Sequence, residues 1–308
     1  MRRQWRSQAT VLMFALLMFA FLGLGVSCKT SDDAQALASQ MTATASSLSD
    51  YYAALAHLAE EHAKLERLQQ ATMGVPLDQQ DIAQLQDVQN ALQKRADAAQ
   101  ALADLATAFT ALSGSGAPAD VSNSAANLGV ALSSLPQLPA VPTAPALMQS
   151  AGRILTQFAQ EHDERKMAKS MDPTIAAFSQ MFSQEKPAYD SIDRTYIGVA
   201  QTIALDLLQK NQVDPGSLME PALKPFDLAS RVPAGQLSQG LTDYAHEQIT
   251  SQGAADIAAH AQASATMDNT LKELSKRTHQ LATDGKMPER GLAVALSDVE
   301  LWTKRILK

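Results

Sequence analysis

Leu37, Met41, Thr44, Leu48, Tyr51, Leu55, Leu58, His62 and Leu65 follow one another at alternating steps of four and three. A seam of that period fits an α-helix with one stripe against a partner, the pattern of helices that supercoil or pack in bundles. It ends near Gly74 and Pro76, which supply a stop. A second seam, Ile82, Leu85, Val88, Leu92, Ala96, Ala99, Leu102, Leu105, Phe109 and Leu112, begins after Asp78, a residue suited to cap a helix, and runs to the SGSGAP stretch. Two amphipathic helices joined by so few residues must run antiparallel. Residues 34–113 therefore read as a helical hairpin, about 50 Å long at a rise of about 1.5 Å per residue.

The remainder repeats the helical theme with more interruptions. A short helix over DVSNSAANLGVALSSL is expected to be capped by Asp120. The stretch 136–145 holds Pro136, Pro139, Pro142 and Pro145, a spacing that forbids helix and favours an extended connector. Helices resume at Ala146, where Leu147, Ala151, Ile154, Phe158, His162 and Arg165 trace one face. Asp172 and Pro173 predict a fresh start as cap and first residue, and Pro187 predicts a kink or break within 174–211. Prolines keep 214–234 irregular. A long helix is expected from Gln236 to Ala282, with Gly240 and Gly253 as weak points, and a last one from about Glu289. Strand signals are lacking, so the fold class is all-α: an elongated antiparallel bundle with a coiled-coil-like hairpin. The expected divisions are 34–135, the linker 136–145, and 146–308, the last packing with the hairpin as one body.

What precedes the first seam is of another kind. Arg2, Arg3 and Arg6 stand before VLMFALLMFAFLGLGVS, an uncharged run over 11–27. A basic start, an apolar middle and small residues at the end describe an export signal, and the run is somewhat short of the roughly 20 residues a bilayer span needs. Cys28, the one cysteine of the chain, follows directly. A small residue before a cysteine at the end of such a run resembles the lipobox of bacterial lipoproteins. The resemblance implies cleavage between Ser27 and Cys28 and a diacylglyceryl group on the Cys28 sulfur. The family favours leucine three residues before the cysteine, where this chain has Gly25, with Leu24 one place earlier. Gly25 and Ser27 also satisfy the small-x-small rule of ordinary signal cleavage. A lone cysteine in an exported chain nonetheless calls for a reason, and lipidation supplies one. Lys29 stands where the family's inner-membrane proteins tend to carry aspartate, so the resemblance implies an outer membrane facing the periplasm. Residues 28–33 would be the lipidated cysteine and a short tether.

Loss of residues 1–27 removes three arginines and no acid, taking the formal charge from −7 to −10. An acidic chain lacks the clustered Lys and Arg that nucleic-acid binding requires. Aromatic residues make up 5% of the sequence, against 46% hydrophobic residues that are mostly Ala and Leu, which suits close-packed helices better than a deep ligand pocket.

Groups that could carry chemistry are few. Bundles build metal sites from Glu-x-x-His on paired helices, and this chain contains no such motif. His62 and His162 each fall on an apolar face, so a cross-helix metal pair would use them; as half-buried polar residues they need no metal. EHDERKMAK, 161–169, reads as a solvated face with Glu161 and Arg165 at i, i+4. No Gly-x-Ser-x-Gly elbow and no phosphate loop occur. In the last helix Leu292, Leu296, Val299, Trp302 and Ile306 form a stripe beside Lys304, Arg305 and Lys308, which can dock on the bundle or rest on a membrane.

These features predict no catalytic residue, no enzyme activity and no cofactor. They point to a lipid-anchored envelope protein acting as a scaffold or adaptor, with a protein partner or a second copy of itself. The alternative is a helical module that takes a small molecule or lipid into a cavity lined by Phe158, Phe178, Met181 and Phe182. The third reading is a metal-dependent bundle.

Overall fold

The computed structural model describes residues 4–73, 79–112, 118–138, 148–153, 155–156, 164–210, 212–213, 220–223, 225, 238–284 and 296–307, with most of their side chains from residue 35 on. The described residues form helices and no strand, packed as a bundle. In chain order these are α1 (Gln4–Met73), α2 (Gln79–Leu112), α3 (Pro118–Ser133), α4 (Glu164–Gln209), α5 (Glu220–Leu223), α6 (Gln239–Asp284) and α7 (Ser297–Ile306). Residues 148–153 add a further helical segment beside α3. Among the described residues from 35 on, no helix is long and apolar enough to cross a membrane.

The seams do what their spacing requires. From Leu37 to His62 every seam residue of α1 is buried, as are Ile82, Leu92, Ala96, Ala99, Leu102 and Leu105 of α2. Burial of one such leucine contributes about 1.5–3 kcal/mol. Between the leucines lie small residues, Ala45, Ala54, Ala59, Ala98 and Ala103, all buried, which let the two helices approach closely. Ser49 Oγ donates to the Ala96 carbonyl at 2.9 Å and Thr42 meets Thr107 at 3.4 Å, so α2 runs back along α1.

A second hairpin packs beside the first. Asp172 meets His279 (2.9 Å), Ser183 donates to Asp268, and Gln201 donates to the Ile249 carbonyl (3.2 Å), so α6 runs back along α4. Tyr51 of α1 packs on Phe182 of α4. Further along, burial and then the charge of Glu61 raise the pKa of Tyr196. Helices α1 and α4 therefore point the same way, and the four long helices alternate in direction. The short α7 lies antiparallel on α6: Asp298 accepts from Gln262 (3.3 Å) and Thr266 (3.4 Å), and Arg305 pairs with Asp256. One apolar core joins residues on both sides of the 136–145 segment.

Three local expectations need correction. No helix starts at Asp172 and Pro173; α4 begins at Glu164 and continues through Pro173 to Gln209. Pro187 does not end it either. A proline removes one backbone donor, and buried residues on either side, Met171 and Ile175 around the first and Glu185 and Tyr189 around the second, hold the helix together by tertiary packing. Asp120 is not the cap of α3 but sits in its first turn, because Pro118, with its helix-compatible φ, opens the helix. The connections at 74–78, 113–117, 139–147, 214–219, 226–237 and 285–295, with Asp78, Pro139, Pro142, Pro145, Leu147 and Leu292, lie outside the described residues, as do the side chains of Ile154 and Arg165.

Candidate functional site

At mid-height the bundle carries a polar layer to which all four long helices contribute. Arg95 of α2 and Glu185 of α4 face each other with no solvent exposure on either side chain. The guanidinium donates from Nε (2.8 Å) and Nη2 (2.6 Å) to the two carboxylate oxygens, and Nη1 donates to the Ala91 carbonyl at 2.9 Å. Burial opposes the charge on Arg95, but the bonds to Glu185 outweigh it and keep the group protonated. The Tyr189 hydroxyl donates to the same carboxylate, and the Tyr52 hydroxyl lies 3.3 Å from that of Tyr189. Burial, foremost, pushes both phenols well up. Each polar atom of this group has a partner, which a buried ion pair requires.

The other half of the layer joins α1, α4 and α6 beneath α7. Tyr51 Oη and His260 Nε2 are 2.9 Å apart, and both residues are buried. Trp302 of α7 closes over them, its ring centre 4.8 Å from that of His260 and 5.2 Å from that of Tyr51. The other imidazole nitrogen, Nδ1, faces Asp190 Oδ1 at 3.7 Å and Asp193 Oδ2 at 3.8 Å. Both separations exceed a hydrogen bond, and neither oxygen has a hydrogen-bond partner. Burial, then the charges of Asp256 and Asp190, push the Asp193 carboxyl up to about 7. Burial lowers His260 to about 4.

Carboxylate, imidazole and hydroxyl thus stand in the order of a nucleophile-activating relay. Tyr51 is nevertheless fully buried, and burial pushes its pKa well up, so its oxygen holds the proton and takes part in hydrogen bonding instead of attack.

The residues singled out from sequence lie elsewhere or at the edge of this layer. His62 is buried and its Nε2 meets Glu66, one turn on, at 3.3 Å. His162 and Phe158 lie outside the described residues. Phe178, Met181 and Phe182 are packed within the core, Phe182 against Tyr51, Tyr52 and Tyr189. The last helix docks on the bundle: Val299 and Trp302 are buried, while Lys304 pairs with Glu300. Two surface grooves of about 580 Å³ are present. One is lined by Leu205, Leu208, Thr242, Asp243 and His246, the other by Ser46, Ser47, Asp50, Thr303 and Lys304.

Arg95, Glu185, Tyr189, Asp190, Asp193 and His260 were not singled out by motif. A signal for three of them exists: Phe178, Phe182, Glu185 and Tyr189 are spaced four, three and four apart, and His260 leads into Ala263, Met267, Leu271 and Leu274 at steps of three and four. A charged residue on an apolar stripe announces a buried partner. No family model, curated protein or solved structure matches the chain.

Proposed function

We propose that the protein is an exported lipoprotein, anchored in the bacterial envelope through Cys28, whose helical body serves as a scaffold or adaptor for other envelope proteins. The observation that carries this reading is the position of the single cysteine directly after an uncharged apolar run with three arginines before it. The geometry of the body supports it. Leu37 begins the packed seam nine residues after Cys28, about 14 Å along a helix. A diacyl anchor there, two chains on one residue, holds durably where a single chain is marginal, and it would keep the bundle close to the membrane. The interior is filled by its own aromatic and charged side chains, which leaves the long outer faces to meet partners.

Metabolic labelling with an alkyne fatty acid in a bacterial host tests the anchor. The wild-type chain takes up label and sediments with membranes; Cys28→Ser takes up none. Label retained on Cys28→Ser would refute the anchor. Photocrosslinking from exposed Val130 and Leu301 in intact cells tests the scaffold. Discrete protein adducts are expected at one position at least, and a chain that forms none at any exposed position contradicts the reading.

A further inference from the structure

Helices α1 and α7 put a ridge and a trough side by side on one face of the bundle. α7 is antiparallel to α6, and α6 to α4 and α1, so α7 and α1 run in the same direction. Trp302 packs on Tyr51, which sets Leu301 level with Asp50 and Lys304 about one turn above it. The ridge is the outer side of α7, where Leu301 is 68% exposed. The trough, about 580 Å³, is floored by Ala43, Ser46, Ser47 and Asp50 of α1 and walled by Lys304 and Leu307 of α7. Small side chains on such a floor let another helix approach closely. Asp50 is exposed and has no ion-pair partner among the described residues, and Lys304 pairs only with Glu300 of its own helix.

We propose that a second copy of this chain covers this face, in a parallel dimer where the α7 ridge of each copy lies in the α1 trough of the other. A ridge beside a trough is self-complementary about a twofold axis between them, the isologous contact of symmetric dimers. The direction of the axis rests on the Cys28 anchor proposed above. Two chains standing on one membrane surface from the same residue are related by an axis along the membrane normal, and with the bundle upright that axis runs along α1. Rotation about it keeps every residue at its own height. Leu301 of each copy therefore enters the trough of the other beside Ser46, Ser47 and Asp50, and Lys304 comes within a side chain's reach of Asp50 across the contact. This match of cation and anion at one height favours a second copy over an unrelated helix, because the chain carries the complement of its own trough. Confinement to one membrane raises the effective concentration of copies, so a contact of modest area suffices.

The test uses full-length chains in intact bacterial cells, with two tagged versions produced together and treated with a short bis-maleimide. One carries Ser46→Cys and the other Leu301→Cys, and a crosslinked product bearing both tags is expected. Moving the first cysteine to Val130→Cys, exposed on α3 away from this face, lowers the yield at least about tenfold. Lys304→Asp, added to both versions, sets acid against acid and lowers the Ser46–Leu301 yield at least about fivefold. Asp50→Lys added to that variant restores the yield, which a mere folding defect would not allow. Equal yields from the Ser46 and Val130 positions overturn the dimer, as does a loss on Lys304→Asp that Asp50→Lys fails to restore. Chains that stay in the membrane fraction yet do not link overturn the dimer and leave the anchor standing. A wild-type chain that crosslinks through Cys28 reveals an unlipidated thiol, and then the anchor and the parallel axis fall together.

Discussion

Replacing Arg95 with methionine tests the account of the polar layer most directly. The substitution keeps volume and helix propensity but removes the two donors, at 2.8 and 2.6 Å, that neutralise Glu185. Both side chains have zero exposure, so no water reaches the carboxylate left behind, and only the Tyr189 hydroxyl still donates to it. Breaking a buried pair from one side costs about 3–5 kcal/mol. Replacing both partners by apolar residues removes that orphan charge. In Arg95→Met/Glu185→Met the remaining loss is the acceptor of Tyr189, about 1–3 kcal/mol. The double variant is therefore expected to be more stable than the single one by roughly 2 kcal/mol. Urea unfolding followed by far-ultraviolet circular dichroism measures both, on a chain beginning at residue 28 with Cys28→Ser, since the buried core residues among those described all lie at or beyond Leu37. A single variant that loses less than about 1 kcal/mol, or a double no better than the single, would refute the reasoning.

The other predictions concern separate parts of the fold. A Cβ on Gly129 would lie 2.8 Å from the Gly152 carbonyl oxygen, and one on Gly152 2.7 Å from that of Gly129. Each Gly→Ala change should thus lower stability by about 1–3 kcal/mol, measured by thermal unfolding, although alanine is the better helix former. The Asp193 carboxyl, raised to about 7 from an ordinary 3.8, contributes stability that is lost as pH rises from 3.8 through 7. His260, lowered to about 4 from 6.5, contributes stability that is lost as pH falls below 6.5. Between about pH 4 and 6.5 the folded chain keeps on Asp193 the proton that the unfolded chain keeps on His260, and the two slopes cancel. Asp193→Asn should expose the histidine slope, at most about 1.4 kcal/mol per pH unit, as a fall in urea midpoint from pH 6.5 to 4.5; an unchanged profile counts against the assigned protonation.

Much of the fold was legible because a helix that buries a stripe must repeat that stripe every three or four residues. The two seams gave α1, α2 and their antiparallel pairing, and the stripe through Val299 and Trp302 gave a docked α7. Prolines misled where local rules and tertiary packing conflict. Pro173 and Pro187 each remove one helical hydrogen bond, a loss set against many buried contacts along α4. The site was harder to see. Asp190 and Asp193 are ordinary in sequence, and His260 gains meaning only from Tyr51, 209 residues earlier. A partner that far away leaves no trace in local spacing. The buried pair could have been suspected from Glu185 on the stripe of Phe178 and Phe182, but not its match to Arg95.

The polar layer also answers a question that the seams raise. Helices whose contacts are mostly Ala and Leu can slide by one heptad, about 10.5 Å, and still present an apolar stripe to one another. Such a slip of α4 along α2 would bring Phe178 or Ile192 to the level of Glu185, opposite Arg95, and leave the guanidinium buried without a counter-charge. The same slip of α6 would replace His260 with Gly253 or Met267 beside Tyr51. Either error strands a polar group at a cost of about 1–3 kcal/mol for the phenol and more for the charge. Bonds from Arg95 to Glu185 and from Tyr51 to His260 thus penalise every register but one. They do so between different pairs of helices, α2 with α4 and α1 with α6, so together they fix the two hairpins relative to each other. Fixed register gives the outer faces one constant arrangement, which the scaffold role proposed above requires.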